Sequence, residues 1–288
     1  MAITTKIKCS INRCLAPVNL HLDTLTAEKQ EDRRLARLHG NGQFDRPRFE
    51  WGRAISGFSP DTLLNQLHQF SRCFERWHDP SANPVGYTFN NDYFSSPDAE
   101  VLYTIVRTLK PGKIVEIGSG NSTRISRLAI TDGRLKTTLT CVDPNPRMEV
   151  RSIADRVIES QIEMVSDRGF LSALEPGDIL FIDSSHCLQP GNDVVVLYLE
   201  VIPRLNPGVL VHIHDIFLPY DYPYRWLQDK GLRFNEAYIV HLLLTSRNDF
   251  EVLWPAYYLQ KTMSDFNQYF PNCGAGVGTS LWLRVGKH

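Results

Sequence analysis

The chain has 288 residues, of which 42% are hydrophobic and 22% are charged, a composition typical of a folded protein with a sizeable core. Its 31 Lys and Arg residues nearly balance its 32 Asp and Glu residues, so the formal net charge is −1. No overall positive field therefore favours nucleic acid or an anionic membrane as a partner, and we expect neither.

The cysteines contain no CxxC pair, which favours reduced thiols and a cytoplasmic location. No apolar run is long enough for a signal-peptide core or a membrane-spanning helix, so we predict neither. The six cysteines are Cys9, Cys14, Cys73, Cys141, Cys187 and Cys273.

Residues 1–92 are predicted to form an N-terminal extension of helices and loops that precedes a larger domain at 93–288. The charged run 28–37 is typical of the solvated face of a helix. Apolar side chains at helical spacing predict a further helix from Asp61 to about His78.

Residues 87–94 form an aromatic and amide-rich segment just before a helix predicted from about Ser96 to Gly112. Tyr93 in this segment is a candidate substrate contact. A packed aromatic loop explains the same residues equally well, and both interpretations stay open.

From residue 113 onward, apolar strand patterns alternate with helical patterns. This alternation predicts a doubly wound, Rossmann-like α/β fold with a seven-stranded, mostly parallel sheet and an antiparallel final strand. The strands are predicted near 113–117, 138–142, 161–165, 178–182, 208–213, 250–254 and 279–285, and a helix is predicted near 234–245.

A glycine-rich turn follows the first predicted strand. Glu116, Gly118, Gly120 and Ser122 form the pattern E-x-G-x-G-x-S, in which glycines let the backbone turn tightly and approach a ligand closely. A dinucleotide site would place a third glycine where Thr123 stands, so pyrophosphate binding is disfavoured. A carboxylate beside the turn instead attracts a cofactor with a cationic amino-acid end, and S-adenosylmethionine is such a cofactor.

The second predicted strand ends in Asp143. A carboxylate at this position can accept both hydrogen bonds from a ribose diol, as the corresponding acid does in nucleotide-binding βαβ units. The turn and both acids together predict a nucleoside cofactor site.

The segments VEIGSGNST, VDPNPR, GDILFIDSSH and PGVLVHIHDIF resemble successive motifs of class I S-adenosylmethionine-dependent methyltransferases, over roughly Tyr93 to Val285. They are most similar to bacterial enzymes with FIDSSH and HxHD segments, many of which modify sugars or secondary metabolites. The resemblance implies that Asp167, after the third predicted strand, accepts from the adenine amino group. Asp183, after the fourth predicted strand, could separately bind the cofactor's amino group. An exposed loop acid and a turn cap are the plainer interpretations of these two residues.

The fourth and fifth predicted strands end in Asp183, His186, His214 and Asp215. Because neighbouring strands lie about 4.8 Å apart, these side chains should converge at one edge of the sheet. Methyl transfer to a hydroxyl requires removal of its proton, and His186 or His214 could be the general base. Alternatively, Asp183 and Asp215 could bind Mg²⁺ or another divalent metal that acidifies the hydroxyl.

An aromatic and proline-rich segment, residues 219–226, follows the fifth predicted strand. Tyr220, Tyr222 and Trp226 offer flat apolar faces with polar edges, which suit a sugar or an aromatic substrate. The segment is therefore predicted to form a substrate lid, and a homodimer contact is the alternative.

Taken together, the residues predict an S-adenosylmethionine-dependent methyltransferase that acts on a small-molecule hydroxyl. Two alternatives stay open. One is a metal-dependent enzyme of another reaction class on the same fold, and the other is a non-catalytic, cofactor-binding partner of another enzyme.

Overall fold

The computed structural model describes residues 2–22, 25–228, 231–246 and 249–286. Within them the α-helices are α1 (Ala2–Leu15), α2 (Thr26–Gly40), α3 (Asp61–Phe74), α4 (Asp98–Leu109), α5 (Asn121–Gly133), α6 (Met148–Ile153), α7 (Gly169–Ser172), α8 (Asp193–Val196), α9 (Tyr224–Gln228), α10 (Glu236–Ser246), α11 (Ala256–Thr262) and α12 (Phe266–Tyr269). The strands are β1 (Lys113–Ile117), β2 (Thr138–Val142), β3 (Arg156–Ile158), β4 (Ile179–Ile182), β5 (Leu210–Ile213), β6 (Phe250–Pro255) and β7 (Leu281–Val285).

The chain divides into two compact units. The smaller unit comprises Met1–Arg46 and Pro223–Leu232, and the larger unit comprises Pro47–Tyr222 and Arg233–His288. Residues 47–92, which the sequence pattern groups with the N-terminal extension, belong to the larger unit together with the sheet. In the smaller unit, the His39 ring of α2 stacks on the Tyr224 ring of α9, with centroids 4.2 Å apart.

The larger unit contains one seven-stranded sheet with the order β3-β2-β1-β4-β5-β7-β6. The first five strands run parallel, and β7 is antiparallel to both β5 and β6. In the register, Ile117 pairs with both Val142 and Ile182, and Ile182 pairs with Ile213. The carboxyl ends of four parallel strands therefore lie side by side, and the predicted Rossmann-like fold is confirmed.

The predicted strand at 161–165 is wrong. Residues 162–164 form a single 3-10 turn, and the edge of the sheet is formed by β3, whose three residues pair with Thr140 to Val142 of β2. The apolar alternation in this segment misled the prediction, because Ile162 is buried while Met164 is 71% exposed. The other six predicted strands are confirmed to within about two residues at each end.

The core lies on both faces of the central strands, because helices cover a parallel sheet on both sides. Trp77, Tyr103, Phe181 and Trp282 are among its largest fully buried side chains. His212 in β5 is also fully buried, and its ring stacks on Phe181 with centroids 3.8 Å apart. Burial lowers the pKa of His212 well below its usual value, so this histidine packs as a neutral core residue. No helix in the described ranges is long and apolar enough to cross a membrane.

Candidate active site

A cavity of about 340 Å³ opens at the carboxyl ends of β1, β2 and β4. This volume lies within the range of roughly 300–1,000 Å³ typical of small-molecule sites, and the position is the one that open α/β sheets use for ligands. Three of the predicted site residues line it: Gly118, Asp143 and Asp183. Its other lining residues are Ile117, Ser119, Val142, Pro144, Ser160, Gln161, Ile162, Glu163, Ser184, Ser185 and Asp193.

The two glycines of the turn after β1 serve different purposes. Gly118 has φ +87°, and a Cβ there would lie 1.9 Å from the carbonyl oxygen of Asp183, so the close approach of β1 to β4 requires glycine. Gly120 has an extended φ of 166°, and a Cβ there would meet no atom within 4 Å. The space beside Gly120 is therefore unfilled; Gly120 does not line the cavity itself but follows Ser119, which does.

Glu116 faces the interior of the turn, not the cavity. It is 1% exposed and accepts hydrogen bonds from the hydroxyls of Ser122 and Thr123 and from the Cys141 thiol. Burial raises its pKa to about 7. The geometry therefore shows Glu116 and Ser122 tying the first turn of α5 to β1, and neither side chain lines the cavity.

Asp143 lies at the rim of the cavity after β2. One of its carboxylate oxygens accepts from the Asn145 backbone N–H at 2.7 Å, and the other accepts from the Ser119 hydroxyl. These bonds fix the carboxylate in place, and each oxygen has a second lone pair for a further donor.

Asp167 lies elsewhere. It sits on an exposed loop, and its carboxylate accepts from the Gly169 backbone N–H at 2.9 Å, at the start of α7. It does not line the cavity. The residues that do approach from that side are 160–163, which the erroneous strand prediction concealed.

The turn after β4 contributes residues that the sequence interpretation did not select. Asp193 accepts from the Ser185 backbone N–H at 2.8 Å and from its hydroxyl at 2.6 Å, which orders this turn over the cavity. Asp193 lies in the first turn of α8, and its contact with Ser185, eight positions earlier, depends on tertiary folding.

A polar cluster joins the tips of β4 and β5, as the sequence predicts. The Nε2 atom of His186 lies 3.2 Å from Asp183 and 3.6 Å from Asp215, and its Nδ1 atom lies 2.8 Å from Glu236. His186 is 4% exposed and Glu236 is fully buried. Glu236, which begins α10, is the member of this cluster that was not selected as a site residue.

His214 lies at the other side of the cluster and is 5% exposed. Its Nε2 atom is 3.3 Å from the Thr279 hydroxyl and 3.7 Å from Asp215, while its buried Nδ1 atom has no hydrogen-bond partner among the described residues. Asp98 accepts from the backbone N–H groups of Thr279 and Ser280, which ties the start of α4 to the loop behind His214.

The two histidines and Asp183 influence one another's protonation. Burial opposes the charge of His186, but hydrogen bonds to Asp183 and Glu236 raise its pKa well above the usual value. Burial likewise opposes the charge of His214, and the nearby carboxylates of Asp183, Asp215 and Asp98 raise its pKa. Burial alone would raise the pKa of Asp183, whereas His214 and His186 lower it to about 2.

The positions of Asp183 and Asp215 do not fit a metal ion bound between them. The imidazole of His186 lies between Asp183 and Asp215, with Nε2 within 3.6 Å of both, so it occupies the gap that a shared metal would need. Among the described residues, no group of three or more His, Cys, Asp or Glu side chains is arranged to hold a metal ion.

The four predicted substrate residues are scattered. Tyr93 is 71% exposed, and its ring lies 5.2 Å from the guanidinium carbon of Arg147, in the loop that follows Asp143. Tyr220 packs edge-on against Tyr257. Tyr222 is 1% exposed, and its hydroxyl accepts from the Ala237 backbone N–H. Trp226 lies in α9 of the smaller unit.

The segment that forms the cavity is similar to a known protein family. Residues 115–216 match the family model described as a methyltransferase domain. This segment runs from β1 to the residues just beyond β5 and contains every residue that lines the cavity. No curated protein is significantly similar to the chain in sequence.

Two solved structures illustrate more distant likenesses. The methyltransferase PaMTH1 of Podospora anserina, in a structure with bound S-adenosylhomocysteine (SAH), is 15% identical, and the alignment covers 93% of this chain and all of that one, with a TM-score of 0.42. A structure described as cmcI-N160 with SAH is 14% identical, and the alignment covers 71% of this chain and 88% of that one, with a TM-score of 0.37. At these low identities and TM-scores, neither likeness assigns a function to this chain.

Proposed function

We propose that this protein is an S-adenosylmethionine-dependent methyltransferase that acts on a hydroxyl group of a small molecule, such as a sugar or a secondary metabolite. The observation that carries the proposal is the cavity at the ends of β1, β2 and β4, lined by Gly118, Asp143 and Asp183. It lies within the segment that matches a methyltransferase domain.

The chemistry of the cavity fits this methyl donor. The carboxylate of Asp143 can accept from a ribose diol, and Asp183 is an ionised acid that suits the donor's amino group. The unfilled space beside Gly120, next to the cavity-lining Ser119, would leave room for the donor close to the backbone. When bound, S-adenosylmethionine supplies an electrophilic methyl group on a positively charged sulfur.

The residues of this chain would then prepare the acceptor. Because Asp183 belongs to both the cavity and the polar cluster, an acceptor held at the cluster would lie next to the donor. We assign removal of the acceptor's proton to His214, because its Nδ1 atom has no hydrogen-bond partner among the described residues and could accept a proton. Asp98, through Thr279 and Ser280, holds the loop that His214 contacts.

The proposal is tested by transfer of the labelled methyl group from S-adenosylmethionine to a panel of glycosides, catechols and simple phenols, with aliphatic and aromatic amines as a comparison set. We expect label to appear in a hydroxyl-bearing acceptor and SAH to form in equal amount. Transfer to amines alone would contradict the hydroxyl class. Absence of transfer together with absence of SAH binding would contradict the methyltransferase.

A further inference from the structure

The imidazole ring of His186 lies among carboxylates at the tips of β4 and β5. The Nε2 atom of His186 faces Asp183 at 3.2 Å and Asp215 at 3.6 Å, and its Nδ1 atom faces Glu236 at 2.8 Å. Three carboxylates therefore surround one imidazole ring. An imidazole ring that faces a carboxylate at each nitrogen can donate a hydrogen bond from both nitrogens only as the imidazolium, in which both nitrogens carry a proton.

We propose that Glu236 is a positioning residue that holds His186 as an imidazolium between Asp183 and Asp215, so that a cation of the chain itself takes the place of a divalent metal in methyl transfer. The inference rests on the proposed function for its role in catalysis, whereas the position and charge of His186 can be measured independently of it.

The burial of Glu236 supports this role. The side chain is fully buried, and a buried carboxylate is costly unless a positive partner or several donors satisfy it. His186 is that partner. The Tyr198 hydroxyl lies nearby in the interior. Burial and the carboxylate of Glu236 raise the pKa of Tyr198, so Tyr198 stays neutral and does not balance the charge of Glu236.

The backbone holds the same pair together. The carbonyl oxygen of His186 accepts from the backbone N–H groups of Asn235 and Glu236, at 3.0 and 3.2 Å, at the beginning of α10. His186 itself has a left-handed φ of +57°. The Phe234 ring lies against the imidazole, with centroids 4.6 Å apart. The start of α10 thus fixes both the main chain and the side chain of His186.

This arrangement divides the work of the two histidines. The ionisable groups around His186 are Asp183 from the end of β4, Glu236 from α10, and also Asp215, His214, His212 and Cys187. Both ring nitrogens of His186 face a carboxylate, so neither is available to accept a proton from the acceptor, whereas the Nδ1 atom of His214 has no hydrogen-bond partner among the described residues. His186 instead balances the two aspartates, and proton removal is left to His214.

The test replaces Glu236→Gln, which keeps the size of the side chain and removes its charge. In the full-length protein with ¹³C- and ¹⁵N-labelled histidine, NMR should show His186 protonated on both nitrogens at pH 7.5. The signal is assigned by its absence in His186→Gln. In Glu236→Gln we expect the same ring to be neutral at that pH. Glu100→Gln is the matched control, since Glu100 is another buried carboxylate without contact to His186, and there the His186 signal should not change.

Kinetics adds a second readout. Glu236→Gln should lower kcat roughly 10- to 100-fold, the range for loss of a carboxylate that orients a metal-bound histidine, with little change in SAH affinity. Glu236→Asp should restore part of the rate, and treatment of the wild type with EDTA should leave the wild-type rate unchanged.

A neutral His186 in the wild type, or a ring unaffected by Glu236→Gln, would overturn the proposal even if methyl transfer is observed. If methyl transfer is absent altogether, the NMR result still decides whether Glu236 positions His186.

Discussion

Glu116 and Asp183 are both acids near the tips of neighbouring strands, and their surroundings give them different tasks. Glu116 is buried, accepts three hydrogen bonds within the turn and has its pKa raised by burial to about 7. Asp183 is one-third exposed at its side chain, and the neighbouring histidines hold its pKa at about 2. The first acid therefore shapes the loop, and the second presents a negative charge to the cavity.

His214→Gln tests the proposed general base. We expect kcat to fall by about 100-fold or more, because general-base catalysis typically contributes 10²- to 10⁴-fold. SAH affinity should change little, since His214 does not line the cavity. Single-turnover rates and a calorimetric titration measure the two effects separately. Full activity in this variant would remove His214 from the mechanism.

Glu100→Gln tests a stability effect at a buried acid outside the site. Burial raises the pKa of Glu100 from 4.5 to about 7, so the folded chain retains a proton that the unfolded chain releases. Stability from this group is therefore present at low pH and is lost as pH rises from about 4.5 to about 7. Relative to the wild type, the variant should gain roughly 3 kcal/mol between pH 4.5 and pH 8, measured by urea unfolding. If the difference in free energy of unfolding between the variant and the wild type does not vary with pH, the raised pKa of Glu100 is contradicted.

At the level of elements, the turn between β1 and α5 contains two glycines whose substitution should affect stability and ligand binding differently. Gly118→Ala should lower the free energy of unfolding by at least about 2 kcal/mol, because φ is +87° and the new Cβ would clash with the Asp183 carbonyl. Gly120→Ala should change it by less than about 1 kcal/mol, since its φ is extended and no atom lies within 4 Å.

The same pair should differ in binding. Gly120→Ala is expected to weaken SAH binding at least about tenfold while the protein stays folded, since the methyl group takes space that the ligand needs. Thermal unfolding and calorimetry on both variants make the comparison. Normal SAH affinity in Gly120→Ala would show that the ligand does not approach this turn.

The sheet and the convergence of the strand tips could be predicted from the sequence, because apolar periodicity and the connection rules of parallel sheets are local signals. The direction of Glu116 could not. In a strand covered on both faces, an acid can point to either side, and its partners Ser122, Thr123 and Cys141 come together only in the folded chain. The contact between Glu236 and His186 could not be predicted for the same reason, since 50 positions separate the two residues in the sequence.

The sequence alone does not distinguish an aromatic segment of the core from one at a ligand site. Tyr222 is a buried residue whose hydroxyl accepts from the first turn of α10, while Tyr93 is exposed beside the loop after Asp143. Amphipathic rings occur in cores and at ligand sites alike, and only burial distinguishes them. The predicted strand at 161–165 failed because a short alternating segment fits a 3-10 turn as well as an edge strand.

At the scale of the whole molecule, the cavity, the polar cluster and the strand tips all belong to the larger unit. A ligand that binds only the folded state stabilises it by mass action, by about 2.7 kcal/mol at a free concentration 100 times its Kd. SAH should therefore raise the Tm of this protein, and the increase should disappear in variants that no longer bind it.

Calorimetric titration of the purified protein with SAH tests the central claim most directly. We predict one binding event per chain with the same affinity before and after EDTA treatment. In Asp143→Ala, the Kd should be roughly 10- to 100-fold higher, because the variant loses a charged acceptor for the ribose. Absence of binding by the folded wild-type protein, with or without added Mg²⁺, would contradict the methyltransferase assignment.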